Sequence, residues 1–125
     1  MSTMHQLGFK RFLAGTDVVY SRRARFWPGV ALLQELVLLN ESGLTPLEAL
    51  QAATLHPAQF FEATDSMGTV AVGKLADLVL LDANPLQDIR HTVRSAGVMI
   101  GGRWLPREEL DRRLGEAAAG GGIVR

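Results

Sequence analysis

Phe12-Leu13-Ala14-Gly15-Thr16-Asp17 is the stretch on which the reading of this chain turns. A short apolar run reaches a glycine, a threonine and one carboxylate. Such a run fits a strand buried on both faces, as in a parallel sheet, and predicts a strand over residues 9–16. Gly15 permits a tight path at the end of that strand. Asp17 then falls on the rim beyond the strand's carboxyl end, where open α/β sheets and α/β barrels carry their chemistry. The alternative is that Asp17 caps the following turn, as aspartate often does.

On the upstream side, Met4, Leu7 and Gly8 predict the end of a helix over residues 1–8. His5 reads there as a surface or capping residue. On the downstream side, Arg22, Arg23 and Arg25 stand beside Tyr20, Phe26 and Trp27. They fit a loop that contacts a ligand carboxylate or phosphate, or a solvated loop over packed aromatics. Pro28-Gly29 opens a helix to Asn40, with Leu32, Leu33, Leu36 and Leu39 at helical spacing. Val37 and Leu38 lie off that stripe, which predicts burial on more than one side. Gly43 suits the left-handed position past the helix end.

Leu44-Thr45-Pro46-Leu47-Glu48 is a capping box: Thr45 at the N-cap, Pro46 at N1, Glu48 at N3, with Leu44 placed to staple against Ala49. The helix is expected to reach about Leu55, with Leu47, Leu50 and Thr54 on one face. His56 precedes a proline, is biased away from helix, and reads as a boundary residue rather than a ligand. Pro57 begins a short helical piece to Phe61.

From Glu62 the pattern is strand and turn. Residues 67–74 form a short extended run between glycines, with Lys74 exposed at a turn. A strand is expected over 76–82, a turn at Asn84-Pro85, one helical turn over 86–91 and a strand over 93–100. Gly101-Gly102 makes a hairpin turn into Arg103-Trp104-Leu105. A last helix runs from Pro106 to Leu114, with Glu108 and Arg112 paired at i, i+4. Residues 115–125, rich in alanine and glycine, read as a frayed tail.

Of the 125 residues 47% are apolar, which excludes a disordered tail. With 13 basic and 13 acidic residues the formal net charge is zero, so there is no electrostatic case for nucleic acid or an anionic membrane. The lack of cysteine excludes disulfides and thiolate metal sites. No apolar run approaches the ~20 residues of a membrane span, and residues 1–10 lack a signal-peptide core. A soluble, cytoplasmic protein is the expectation.

One strand and two helices cannot close an α/β unit, because a lone parallel-type strand leaves both edges unpaired. A complete α/β barrel takes about 250 residues. The first half therefore reads as a piece of a larger sheet or barrel.

Taken in order, Ala14-Gly15-Thr16-Asp17, Pro28-Gly29, Glu35-Leu36, residues 43–50 (Gly-Leu-Thr-Pro-Leu-Glu-Ala-Leu), Ala53-Thr54, Pro57-Ala58, Gly68, residues 73–82 (Gly-Lys-Leu-Ala-Asp-Leu-Val-Leu-Leu-Asp), Asn84-Pro85 and Gly102-Arg103 make a specific combination. It resembles the C-terminal portion of the amidohydrolase superfamily, in the manner of imidazolonepropionase-like and Xaa-Pro-dipeptidase-like members, over residues 8–105. The resemblance implies an α/β fold class. Residues 1–61 would be the last strand and following helices of a (β/α)₈ barrel. Residues 62–106 would be strands of a small composite β-sandwich domain, and residues 107–125 a C-terminal helix and flexible tail.

The resemblance also implies a role for Asp17. It matches the eighth-strand aspartate that binds the catalytic divalent metal, zinc in expectation, and acts as general base and acid for the attacking water. The implied substrate of the parent enzyme is a small amide or dipeptide-like molecule cleaved at a C–N bond. The family's other metal ligands, a His-x-His pair, often a carboxylated lysine, and two further histidines, have no counterpart here. His5, His56 and His91 match none of those positions, and Leu33 stands where many relatives carry histidine. A catalytic zinc takes about three protein ligands, so the chain alone is expected to bind no metal and to be inactive. A different reading is a non-catalytic module that self-associates as a homo-oligomer through the barrel-facing surfaces of residues 9–17 and 28–60.

Overall fold

The N-terminal half is a layer of three helices, α1 (Val30–Glu41), α2 (Pro46–Ala53) and α3 (Leu55–Phe60). A computed structural model of the chain describes residues 4, 6–9, 11–17 and 29–120, the last three by backbone alone. The expectations for His5, Tyr20, Arg22, Arg23, Arg25, Phe26, Trp27, Pro28 and residues 121–125 lie outside these.

Local sequence signals set the helix ends. Thr45 opens α2 with the expected capping box: its Oγ1 accepts from the Glu48 N–H at 3.3 Å, and the Glu48 carboxylate accepts from the Thr45 N–H at 2.9 Å. Gly43, at φ 107°, closes α1. Its N–H reaches Asn40 O at 2.9 Å, and the Leu44 N–H reaches Leu39 O at 3.2 Å, a complete Schellman pair. Gly8, at φ 89°, closes the first helical piece likewise, with the Phe9 N–H on Met4 O at 3.1 Å. The core of this layer is Leu36, Leu39, Leu44, Ala49, Ala52 and Ile89.

Several expectations change. α2 buries Ala49 and Ala52 completely while Leu47 is 51% exposed. Small side chains are what let another backbone approach this face, and the Ala14 N–H donates to Ala52 O at 2.9 Å. α2 stops at Ala53 because Thr54 leaves helical geometry at φ −131°. The chain re-enters helix at Leu55, which puts His56 and Pro57 in the first turn of α3, where the missing proline N–H goes unneeded. α1 meets the expectation in part: Ala31, Leu36 and Leu39 are buried and Val37 packs on the core, while Leu38 is 56% exposed.

Among the described residues of the expected strand over 9–16, none joins a ladder. Over residues 11–17 burial alternates: Phe12, Ala14 and Thr16 are partly buried, and Arg11, Leu13, Gly15 and Asp17 are exposed. The helices cover one face, and among the described residues no neighbouring strand exists to pair its edges.

The C-terminal half is an antiparallel sheet of β1 (Leu78–Leu81), β2 (Ser95–Ile100) and β3 (Arg103–Pro106), in that spatial order. Val79 stands opposite Val98, and Val98 opposite Leu105. The expected hairpin turn is present, with positive φ at both Gly101 and Gly102. The Asp77 carboxylate accepts from the Gly101 N–H at 2.6 Å. Between β1 and β2, a 3₁₀ helix (Ile89–Val93) seats Ile89 in the helical core. It lies slightly later than the turn expected at 86–91.

Residues 67–74 are bends and turns rather than an extended run, since Gly68 and Gly73 both take positive φ. Lys74, expected to be exposed, is half-buried and donates from Nζ to Thr69 Oγ1 at 2.5 Å. The last helix, α4 (Arg107–Gly120), outruns the expected stop at Leu114 and takes in residues 115–120 of the expected tail. Its ion pairs centre on Glu109, not Glu108. Glu109 sits three and four residues before Arg112 and Arg113 and accepts from both at 2.7 Å.

Candidate active site

The candidate site begins with the segment that carries Asp17. Phe12 and Ala14 pack against the helical core, while the alternate residues, Leu13 and Gly15, are exposed. Asp17 continues that exposed set. Its backbone lies in the left-handed region at φ 46°. Aspartate tolerates that region better than most side chains, and such residues cluster at functional sites.

Two long-range hydrogen bonds hold the segment. The Ala14 N–H donates to Ala52 O at 2.9 Å, which satisfies a carbonyl in the last turn of α2. The His56 ring Nδ1 lies 3.0 Å from Phe12 O. His56, read from sequence as a boundary residue, therefore joins the Asp17 segment to α3. A side-chain contact spanning 44 residues leaves no local signal, so sequence reasoning missed it. His91 is spent elsewhere, its Nδ1 2.9 Å from Asn84 O.

Among the described residues no three histidine, aspartate or glutamate side chains converge on a point that could hold a metal ion. Asp17 is a single carboxylate, and His56 already uses one ring nitrogen on backbone. These residues do not fit a catalytic zinc, which takes about three protein ligands.

A second concave feature lies between α3, the bends at 67–70 and β1. It is an apolar groove of about 530 Å³, lined by Pro57, Ala58, Phe61, Met67, Val70 and Leu78 among others. Gly68, at φ 91°, seats these bends on Ala58. The signal for the groove was the density of apolar residues at 67–72 in a stretch otherwise rich in turn formers. Asp77, the carboxylate at its edge, is committed to the hairpin. The perturbed carboxyls lie on exposed surfaces. Asp88 is held at about 2 by the Arg90 guanidinium and then by the Arg90 N–H. Glu109 is held at about 2 by Arg112 and Arg113.

Against this geometry, a sequence profile described as "Amidohydrolase family" matches residues 2–105. The chain belongs to the amidohydrolase family. It is 43% identical over 54 residues to 5'-deoxyadenosine deaminase of Methanobrevibacter smithii, covering 43% of this chain and 12% of that one. It is 44% identical over 52 residues to imidazolonepropionase of a Geobacillus species, covering 41% and 12%. A solved structure of a prolidase-like protein from Bifidobacterium longum superposes with a TM-score of 0.69 at 35% identity, covering 94% of this chain and 29% of that one. This amidohydrolase chain thus spans about an eighth of the length of these curated relatives. Together the matches bear out the resemblance read from the ordered motifs.

Proposed function

We propose that this chain is the C-terminal part of a metal-dependent amidohydrolase that hydrolyses C–N bonds in small amide or dipeptide-like substrates, and that it is inactive alone. In this reading residues 9–17 supply the last barrel strand, residues 28–61 the helices outside it, and residues 62–106 a share of a small composite sandwich domain. Asp17 is the catalytic carboxylate. It accepts a proton from the attacking water and delivers it to the leaving nitrogen. The divalent metal, zinc in our reading, belongs to the complete enzyme and takes its other ligands from outside this chain.

The observation that supports this most is the one-sided burial of residues 11–17. An apolar segment covered by helices on one face, with a strained carboxylate at its end on the other, is what a strand separated from its sheet would look like. The test is metal analysis of the purified chain together with an amide-hydrolysis assay. The expected result is metal far below one equivalent and no turnover. One tightly held equivalent that disappears in Asp17→Asn, or turnover by the bare chain, would refute it.

A second reading, self-association without catalysis, is favoured by the exposure of Val79 (59%) and Leu80 (56%) on opposite faces of the edge strand β1. Native mass measurement decides it: a stable monomer at high concentration removes this reading.

A further inference from the structure

We propose that His56 is a positioning residue for Asp17, setting the register and facing of the segment that presents the carboxylate. This rests on the reading of Asp17 given above. The bond partner of His56 is the backbone carbonyl of Phe12, an acceptor only, so Nδ1 must carry the proton. Two residues further along, the Ala14 N–H is held by Ala52 O. The two anchors therefore lie at i and i+2 of the segment, and their partners, residues 52 and 56, lie at the junction of α2 and α3.

Paired anchors at this spacing fix which residues face the helices. A slip of one residue would turn Leu13 and Gly15 inward and carry Asp17 to the opposite face. The Ala14 bond fixes one point of the segment. His56 supplies the second point, and Asp17 lies three residues beyond Ala14. No ladder does this work in the described residues, and these two bonds help to set the register. His56 also lines a small cavity with Arg11, Leu13, Gln59 and Phe60, so its ring borders the outward face of the same segment.

The test uses the full chain and nuclear magnetic resonance. In the wild type the His56 imidazole should carry its proton on Nδ1, while a bare Nδ1 would overturn the proposal. His56→Leu keeps bulk and removes the donor; His56→Asn places an amide N–H near the Nδ1 position. In His56→Leu the Ala14 amide should exchange roughly tenfold faster, as expected for the loss of one such bond. The φ-reporting coupling of Asp17 should move with it. Amides of Leu39 and Ala49 should not change, and His56→Asn should restore the wild-type values. An Asp17 signal unmoved in His56→Leu, or moved equally in both variants, overturns the proposal. If His56→Leu does not fold, the wild-type tautomer and His56→Asn decide. None of these readouts needs substrate. An Asp17 shown to be non-catalytic would therefore sink the functional reading and leave this result standing.

Discussion

Replacing Gly68 by alanine puts a methyl group where there is no room for one. The added Cβ would lie 2.6 Å from Ala58 Cβ and 3.4 Å from both Leu55 Cα and Thr54 O. Ordinary carbon contacts sit at about 3.5–4.0 Å, so roughly 1 Å must be found. Ala58 cannot give it by rotating, because a methyl on a helix has no rotamer, and it is 1% exposed. The bends at 67–70 or the start of α3 must move instead, at about 1–3 kcal/mol. Gly68 is also at φ 91°, and a side chain at positive φ adds about 1–2 kcal/mol. A stiffer unfolded chain returns about 0.4–1 kcal/mol. The expected net loss is about 1–4.5 kcal/mol, against the roughly 5–15 kcal/mol that holds an ordinary domain. Urea unfolding should show it as a lower midpoint with unchanged slope. Gly102→Ala is the control: Gly102 has φ 80° and nothing within 4 Å of where its Cβ would stand, so that variant carries the backbone term alone. Ala58→Gly combined with Gly68→Ala should recover at least about 1 kcal/mol beyond additivity, as contacting sites do. If Gly68→Ala proves no more harmful than Gly102→Ala, the packing argument is wrong.

Glu62 occupies the left-handed position after α3 at φ 55°, with the Ala63 N–H on Ala58 O at 2.8 Å; Glu62→Gly should stabilise the chain by about 0.5–1 kcal/mol, read from the urea midpoint. Thr45→Ala removes the acceptor of the capping box and should cost about 1 kcal/mol by the same measurement. Asp88 and Glu109 have folded-state pKa values near 2, below their ordinary 3.8 and 4.5. Their pairing therefore contributes above about pH 5 and is lost as pH falls through 2. Carboxyl ¹³C titration should place both midpoints near 2, and high salt should move them back toward ordinary values because the pairs are exposed.

What could be read from sequence was local. The Thr45–Glu48 box, Gly43 and the Gly101-Gly102 hairpin each act within a few residues and form as expected. What could not be read needed partners distant in sequence. Ala49 and Ala52 are the buried face of α2 because a backbone comes within 2.9 Å there, and small residues carry no hydrophobic stripe to announce it. Glu109 outcompetes Glu108 only because two arginines fall on its side of α4. The site divides in the same way: the ordered motifs singled out Asp17, while its positive φ and the hold of His56 on Phe12 appear only in three dimensions.

The strand expected at 9–16 is the most informative discrepancy. Its apolar pattern calls for cover on two faces and pairing on two edges, and among the described residues helices cover one face and no strand pairs either edge. A pattern that calls for more cover than the described residues give fits the proposed reading of residues 9–17 as a barrel strand. β1 repeats the argument, since Leu78, Val79 and Leu80 alternate across the sheet and yet all are exposed. Two unrelated elements, one in each half, lack cover in the same way. An error of sequence reading at either one would not reproduce itself at the other. Surface missing from both is what the proposed parent enzyme supplies.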